Sequence, residues 1–177
     1  MRSKKARLFK LPANLGVMAS ILGVGNATLD VINSVDHYPV EDSERRAISQ
    51  HICRGGNAAN TLVVLSQLGH DCHWAGVLAN EPDARRICAD FDQYQIDWSP
   101  AYQVSTGKVP ISYILSNRCN GSCAIVHVRD LPEYPAAHFF ELELNGYDWL
   151  HASAAWRVFI LILIVKQYRL RRDSYIR

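Results

Sequence analysis

The chain has 177 residues, and 49% of them are hydrophobic, which is enough to build one domain with a buried core. The formal net charge of +2 gives no case for nucleic-acid binding, because such a surface needs lysine and arginine clustered on one face. The five cysteines are an odd number without regular spacing. They indicate reduced thiols in a cytoplasmic protein and not a disulfide scaffold.

Strand-like and helix-like segments alternate along the chain, which is typical of a layered α/β domain. Apolar and β-rich runs predict strands at 21–24, 30–35, 47–53, 73–77, 109–115, 122–128 and 147–151. Helical periodicity predicts helices at 57–68, from Pro82 to about residue 94, and at 139–144. Asn120-Gly121 predicts a hairpin turn between two of the strands.

A glycine-rich loop feeds the first predicted helix. Its sequence is Arg54-Gly55-Gly56-Asn57-Ala58-Ala59-Asn60. Asn57 and Asn60 are three residues apart and therefore share one face of the first helical turn. Two amides in that position offer donors and acceptors to a ligand with many hydroxyls. A purely structural role is the alternative, in which Asn57 caps the helix and the glycines only make a turn.

A carboxylate stands inside an apolar run about twenty-five residues before the loop. Asp30 lies between Leu29 and Val31, where burial is costly unless a partner hydrogen-bonds to the carboxylate. It is therefore a candidate ligand-binding group, and the alternative is a strand-end carboxylate that faces water. Gly23 and Gly25 before it do not predict a dinucleotide site, because a third glycine and a following helix are missing.

Three motifs follow one another in a fixed order: Gly25-x4-Asp30, Tyr38-Pro39-x-Glu41-Asp42-Ser43, and the loop at 54–60. Together they resemble the ketohexokinases of the ribokinase-like (PfkB) carbohydrate kinase family. The resemblance implies an α/β fold, with a Rossmann-like body that is incomplete in this chain and a small β-sheet lid. On this analogy the lid is formed by about 30–53 and 109–128, within the N-terminal part of a kinase domain at 18–151.

The resemblance also implies a function. The family transfers the γ-phosphoryl group of ATP, with Mg²⁺, to a sugar hydroxyl, and the ketohexokinase-like motifs imply a fructose-like sugar. Asp30, Gly56, Asn57 and Asn60 map to sugar-binding positions. In the family the lid covers the sugar and often mediates dimerisation, which implies a homodimer formed through the lid.

Two departures from the family pattern concern catalysis. The family's proton acceptor and its phosphate-binding backbone belong to a Gly-Ala-Gly-Asp motif, and no Gly-[Ala/Gly]-Gly-Asp sequence occurs in this chain. After Asn120-Gly121-Ser122 the family usually has an arginine that reaches the phosphates, whereas this chain has Cys123. We therefore assign no catalytic, cofactor-binding or metal residue and expect the chain to be inactive alone. A non-catalytic sugar-binding or dimerisation fragment is the alternative.

The two ends differ from the family. Residues 1–17 form a basic stretch that we expect to be an N-terminal extension, and 152–177 form a divergent apolar and basic tail that suggests an interrupted reading frame. The eight apolar residues at 158–165 are too few to cross a bilayer as a helix, so no membrane partner is expected. Because strand edges and apolar faces would be uncovered, we expect low solubility.

Cys119, Cys123 and His127 have a spacing that invites a comparison with zinc sites. Residues four apart on a strand are about 13 Å apart, so Cys123 and His127 would not share a metal on the predicted strand. We therefore predict no zinc site in this segment.

Overall fold

A computed structural model describes residues 18–153. The predictions for 1–17 and for the tail beyond residue 153, including the apolar segment at 158–165, lie outside the described residues. In chain order the elements are β1 (Ser20–Val24), β2 (Thr28–Val35), β3 (Ser49–Gly55), α1 (Asn57–Gln67), β4 (Asp71–Ala75), β5 (Val77–Ala79), α2 (Pro82–Gln93), β6 (Tyr102–Val104), β7 (Ile111–Asn117), β8 (Cys123–Val128), α3 (Ala136–Phe140), a 3₁₀ turn (Leu144–Gly146) and β9 (Trp149–Ala152). The predicted α/β class is confirmed.

The strands form two main sheets with different roles. The body sheet has the order β4-β1-β9 and is parallel throughout. The second sheet, which we call the lid sheet, has the order β3-β2-β7-β8. In it β2 runs antiparallel to β3 and parallel to β7, and β7 and β8 form the predicted hairpin. β5 and β6 pair separately in a parallel ladder.

Helix α1 packs on the body sheet because its apolar stripe meets a strand that leaves room for it. Leu62 is fully buried, and a Cβ added at Gly23 of β1 would lie 2.6 Å from Leu62 Cδ1. Glycine at this position therefore allows the close contact between helix and strand. In the same core Trp74 of β4 packs against Phe91 of α2, with ring centroids 5.0 Å apart. Both aromatic side chains are fully buried.

Several predicted strands and helices have different bounds in the structure, and for two of them the fold shows the reason. The strand predicted at 73–77 ends at Ala75, because Val77 pairs with Tyr102 of β6 instead of continuing beside β1. β6 itself was not predicted, since three residues give too short a pattern. The helix predicted at 139–144 begins earlier, at Ala136 directly after Pro135, and a 3₁₀ turn follows it.

Candidate functional site

A cavity of about 350 Å³ opens between the lid sheet and the start of α1. Its lining residues come from five parts of the chain: Asn26, Thr28, Asp30, Gly56, Asn57, Asn60, Ser112, Ile114, Ile125 and Ser153. The structure thus brings all four residues singled out in the sequence to one cavity. Their role in binding a sugar stays a prediction.

The strand order explains how Asp30 and the two amides meet. Asp30 lies on β2, and the neighbouring strand β3 ends at Gly55, one residue before the N-cap of α1. In the antiparallel register Thr28 is opposite Gly55. The start of α1, with Asn57 and Asn60, is therefore delivered beside the first residues of β2.

Asp30 is held by a neighbour on its own strand. The Thr28 hydroxyl donates a hydrogen bond to Asp30 Oδ1 over 2.9 Å, and Thr28 is itself buried. A Cβ added at Gly55 would lie only 2.2 Å from Asp30 Oδ2. The missing side chain at residue 55 therefore creates the space that the carboxylate occupies.

Gly56 is required by both its backbone and its surroundings. Its φ of +99° lies in a region that L side chains rarely adopt, and an added Cβ would approach the Asn26 carbonyl oxygen to 2.3 Å. Gly56 is the N-cap of α1, and Asn57 is the first helical residue. The alternative in which Asn57 caps the helix is therefore wrong, because no side-chain cap is made at this end of α1.

Asn60 has a partner that the sequence did not single out. Arg54 Nη1 donates a hydrogen bond to Asn60 Oδ1 over 2.8 Å, and Arg54 Nε forms an ion pair with Asp90 on α2. In the sequence, only the position of Arg54 directly before the two glycines indicates that it lies near the cavity. Its contact with α2 depends on tertiary packing that no local pattern reports.

The far wall of the cavity comes from the lid sheet. Ser112 and Ile114 of β7 lie opposite Asp30 and Ile32 of β2, so the alternation of the strands turns them to the same face as Asp30. Ser112 Oγ also lies 3.2 Å from His127 Nδ1 on β8. The β-rich pattern predicts β7, but its parallel pairing with β2 is a long-range contact that no local pattern in the sequence reports.

Among the described residues that line the cavity, Asp30 is the one with an ionisable side chain. The remaining polar groups are amides and hydroxyls. Such a set can accept and donate hydrogen bonds to a neutral ligand that carries several hydroxyl groups. It offers no cation to neutralise an anionic ligand.

The other site considered from the sequence concerned zinc. Cys123 and His127 are four residues apart on β8, and Cys119 lies in the turn before it. Between residues 18 and 153 no group of three His, Cys, Asp or Glu side chains is arranged to hold a metal ion. Within the same residues no helix has the length and apolar character needed to span a membrane.

Comparison with known families matches residues 18–155 to the pfkB family of carbohydrate kinases. This chain belongs to that family. Over 132 residues it is 42% identical to the ketohexokinase of Mus musculus. The aligned part is 74% of this chain but 44% of the mouse protein, so the chain spans less than half the length of that relative.

Solved structures show the same fold. The fructokinase of Xylella fastidiosa aligns with a TM-score of 0.60 at 21% identity, over 75% of this chain and 40% of the fructokinase. The ribokinase of Arabidopsis thaliana, solved with ribose and ATP, aligns with a TM-score of 0.55 at 18% identity, over 63% of this chain and 36% of the ribokinase. The expected ribokinase-like α/β fold is therefore confirmed, as is its incompleteness relative to these structures.

The contact between residue 55 and Asp30 predicts a local steric effect. We expect Gly55→Ala to lower the free energy of unfolding by about 1–3 kcal/mol, because the new methyl group overpacks the space of the carboxylate. Gly146→Ala is the control, since an added Cβ there meets nothing within 4 Å. Urea unfolding followed by circular dichroism measures both variants. Equal stability of the two variants would show that Asp30 is not packed against residue 55.

Proposed function

We propose that the cavity binds a fructose-like ketohexose and that the chain is the sugar-binding part of an ATP-dependent sugar kinase. The observation that carries the proposal is the convergence of Asp30, Asn57 and Asn60 on one cavity of about 350 Å³. The family of the chain and its 42% identity to a ketohexokinase support the choice of sugar. A cytoplasmic location is part of the proposal, and the five free cysteines are consistent with it.

The polar groups suit a polyol. A carboxylate accepts hydrogen bonds only, so Asp30 can accept from two neighbouring hydroxyls of one sugar. The Asn57 and Asn60 amides add donors and acceptors on the opposite wall. A ligand of the same shape without hydroxyls would leave these groups unpaired, and the cost of an unpaired buried polar group gives selectivity.

ATP and Mg²⁺ are the cofactors expected for the family, but the residues of this chain do not fit them. The sequence has no Gly-[Ala/Gly]-Gly-Asp segment to supply a proton acceptor and an anion hole. In the lid hairpin the exposed thiol of Cys123 stands where an arginine is expected from the resemblance. We therefore derive no phosphoryl-transfer step for this chain and propose that it is inactive alone.

Calorimetric titration with D-fructose tests the binding proposal. We expect binding by the unmodified chain and a rise of at least about tenfold in Kd for Asp30→Asn, because an amide in place of the carboxylate puts a donor against the sugar hydroxyls. Asp36→Asn is the matched control, since Asp36 is exposed and lies beyond the end of β2. The control variant should bind like the unmodified chain.

Three results would contradict this proposal. The absence of heat at millimolar D-fructose would show that the cavity is not a sugar site. Turnover of ATP and D-fructose in a coupled assay of the purified chain would show that the proposed inactivity is wrong. Equal affinity of the Asp30→Asn and Asp36→Asn variants would place the sugar elsewhere.

The outer face of the lid sheet favours a second function, dimerisation. On this face the strand register places Ile52, Tyr113 and Val126 in one row with Val31, on the side opposite to the cavity. Ile52 is 40%, Tyr113 47% and Val126 66% exposed. A contiguous exposed apolar row of this kind is typical of an interaction surface. We propose that a second copy of the chain covers it.

Sedimentation velocity tests this second function. The unmodified chain should sediment as a dimer, and Val126→Lys should sediment as a monomer, because it places a charge at the most exposed position of the apolar row, on the edge strand β8. Val40→Lys is the control, since Val40 is 75% exposed and lies outside the lid strands. A monomeric unmodified chain, or a dimer that survives Val126→Lys, would contradict the proposed interface.

A further inference from the structure

The side chain of Arg54 is buried although it lies beside the open cavity. It is 7% exposed, and a buried charge is costly unless it is paired and hydrogen-bonded. Its Nε donates to the Asp90 carboxylate on α2, and its guanidinium carbon lies 5.7 Å from the centre of the Phe91 ring. Asp90 and Phe91 thus anchor an arginine that lies at the second-to-last position of the lid strand β3, directly before the two glycines.

A second nitrogen of the guanidinium contacts a residue of the cavity wall. Arg54 Nη1 donates to Asn60 Oδ1 over 2.8 Å, and Asn60 lines the cavity. A guanidinium only donates hydrogen bonds, so the atom of Asn60 that faces it must be the carbonyl oxygen. If the amide flipped, its NH₂ group would lie against a cation. The guanidinium therefore fixes the orientation of the Asn60 amide and leaves Nδ2 as the free donor.

We propose that Arg54 is a positioning residue that, anchored by Asp90, presents Asn60 Nδ2 as a hydrogen-bond donor to the ligand. This inference rests on the proposed sugar site. It predicts that Asn60 Nδ2 donates a hydrogen bond to an oxygen of the sugar. The Asp30 carboxylate, in contrast, accepts hydrogen bonds from sugar hydroxyls. It also makes the binding geometry depend on α2, which does not line the cavity.

Lysine does not reproduce this arrangement. The planar fork of arginine contacts Asp90 with one nitrogen and Asn60 with another. The ammonium of lysine is a single point on a flexible stem, and it keeps the charge opposite Asp90 without holding a second group in a fixed direction. Arg54→Lys therefore separates positioning from charge.

A double-mutant cycle in the affinity for D-fructose tests the proposal. We expect Arg54→Lys, Asp90→Asn and Asn60→Ala each to raise Kd by about tenfold. If Arg54 acts through Asn60, the Arg54→Lys/Asn60→Ala double variant should bind no more weakly than Asn60→Ala alone. Arg86→Lys is the control, since Arg86 lies on the same helix as Asp90, α2, and 60% of its side chain is exposed. Additive losses in the double variant would overturn the proposal.

A second readout does not need the sugar. In the unliganded chain we expect Arg54→Lys and Asp90→Asn to shift the NMR signals of the Asn60 side-chain amide, whereas Arg86→Lys leaves them unchanged. If the unmodified chain binds no sugar, the proposed function fails, and the amide signals still decide whether Arg54 positions Asn60. Unchanged Asn60 signals in both variants would overturn the positioning role.

Discussion

The Asp30 carboxylate occupies the space that a side chain at residue 55 would fill. A Cβ there would lie 2.2 Å from Asp30 Oδ2, and one at the next residue would lie 2.3 Å from the Asn26 carbonyl oxygen. Two successive glycines therefore allow β3 to end tightly against β2 and α1 to begin at once beside it. The convergence of Asn57 and Asn60 on the carboxylate depends on this close approach.

The same corner joins the lid sheet to two helices of the body. Arg54 belongs to the lid strand β3 and directly precedes the two glycines. The partners of its side chain, Asp90 and Asn60, lie on helices of the body. A buried ion pair is weak evidence for stability, because desolvation offsets much of the attraction. Its geometry is more informative here, since one planar group sets the direction of a cavity side chain and ties the lid to the body.

Local patterns in the sequence predicted the turn and helix at the cavity better than they predicted the pairing of the strands. The glycine pair and the alanines specified the turn and α1, and the spacing of Asn57 and Asn60 placed both amides on one face. The parallel pairing of β2 with β7 joins residues about eighty positions apart, and no local pattern encodes it. For this reason Ser112 and Ile114 were missed, and the contact of Arg54 with α2 was missed for the same reason.

An NMR titration of the ¹⁵N-labelled chain with D-fructose tests most directly whether carboxylate and amides act on one ligand. We expect saturable shifts to concentrate on the backbone amides of Asp30, Asn57 and Asn60, together with the Asn57 and Asn60 side-chain amides. Shifts confined to other parts of the chain, or none at saturating sugar, would contradict the claim that these groups form one binding site.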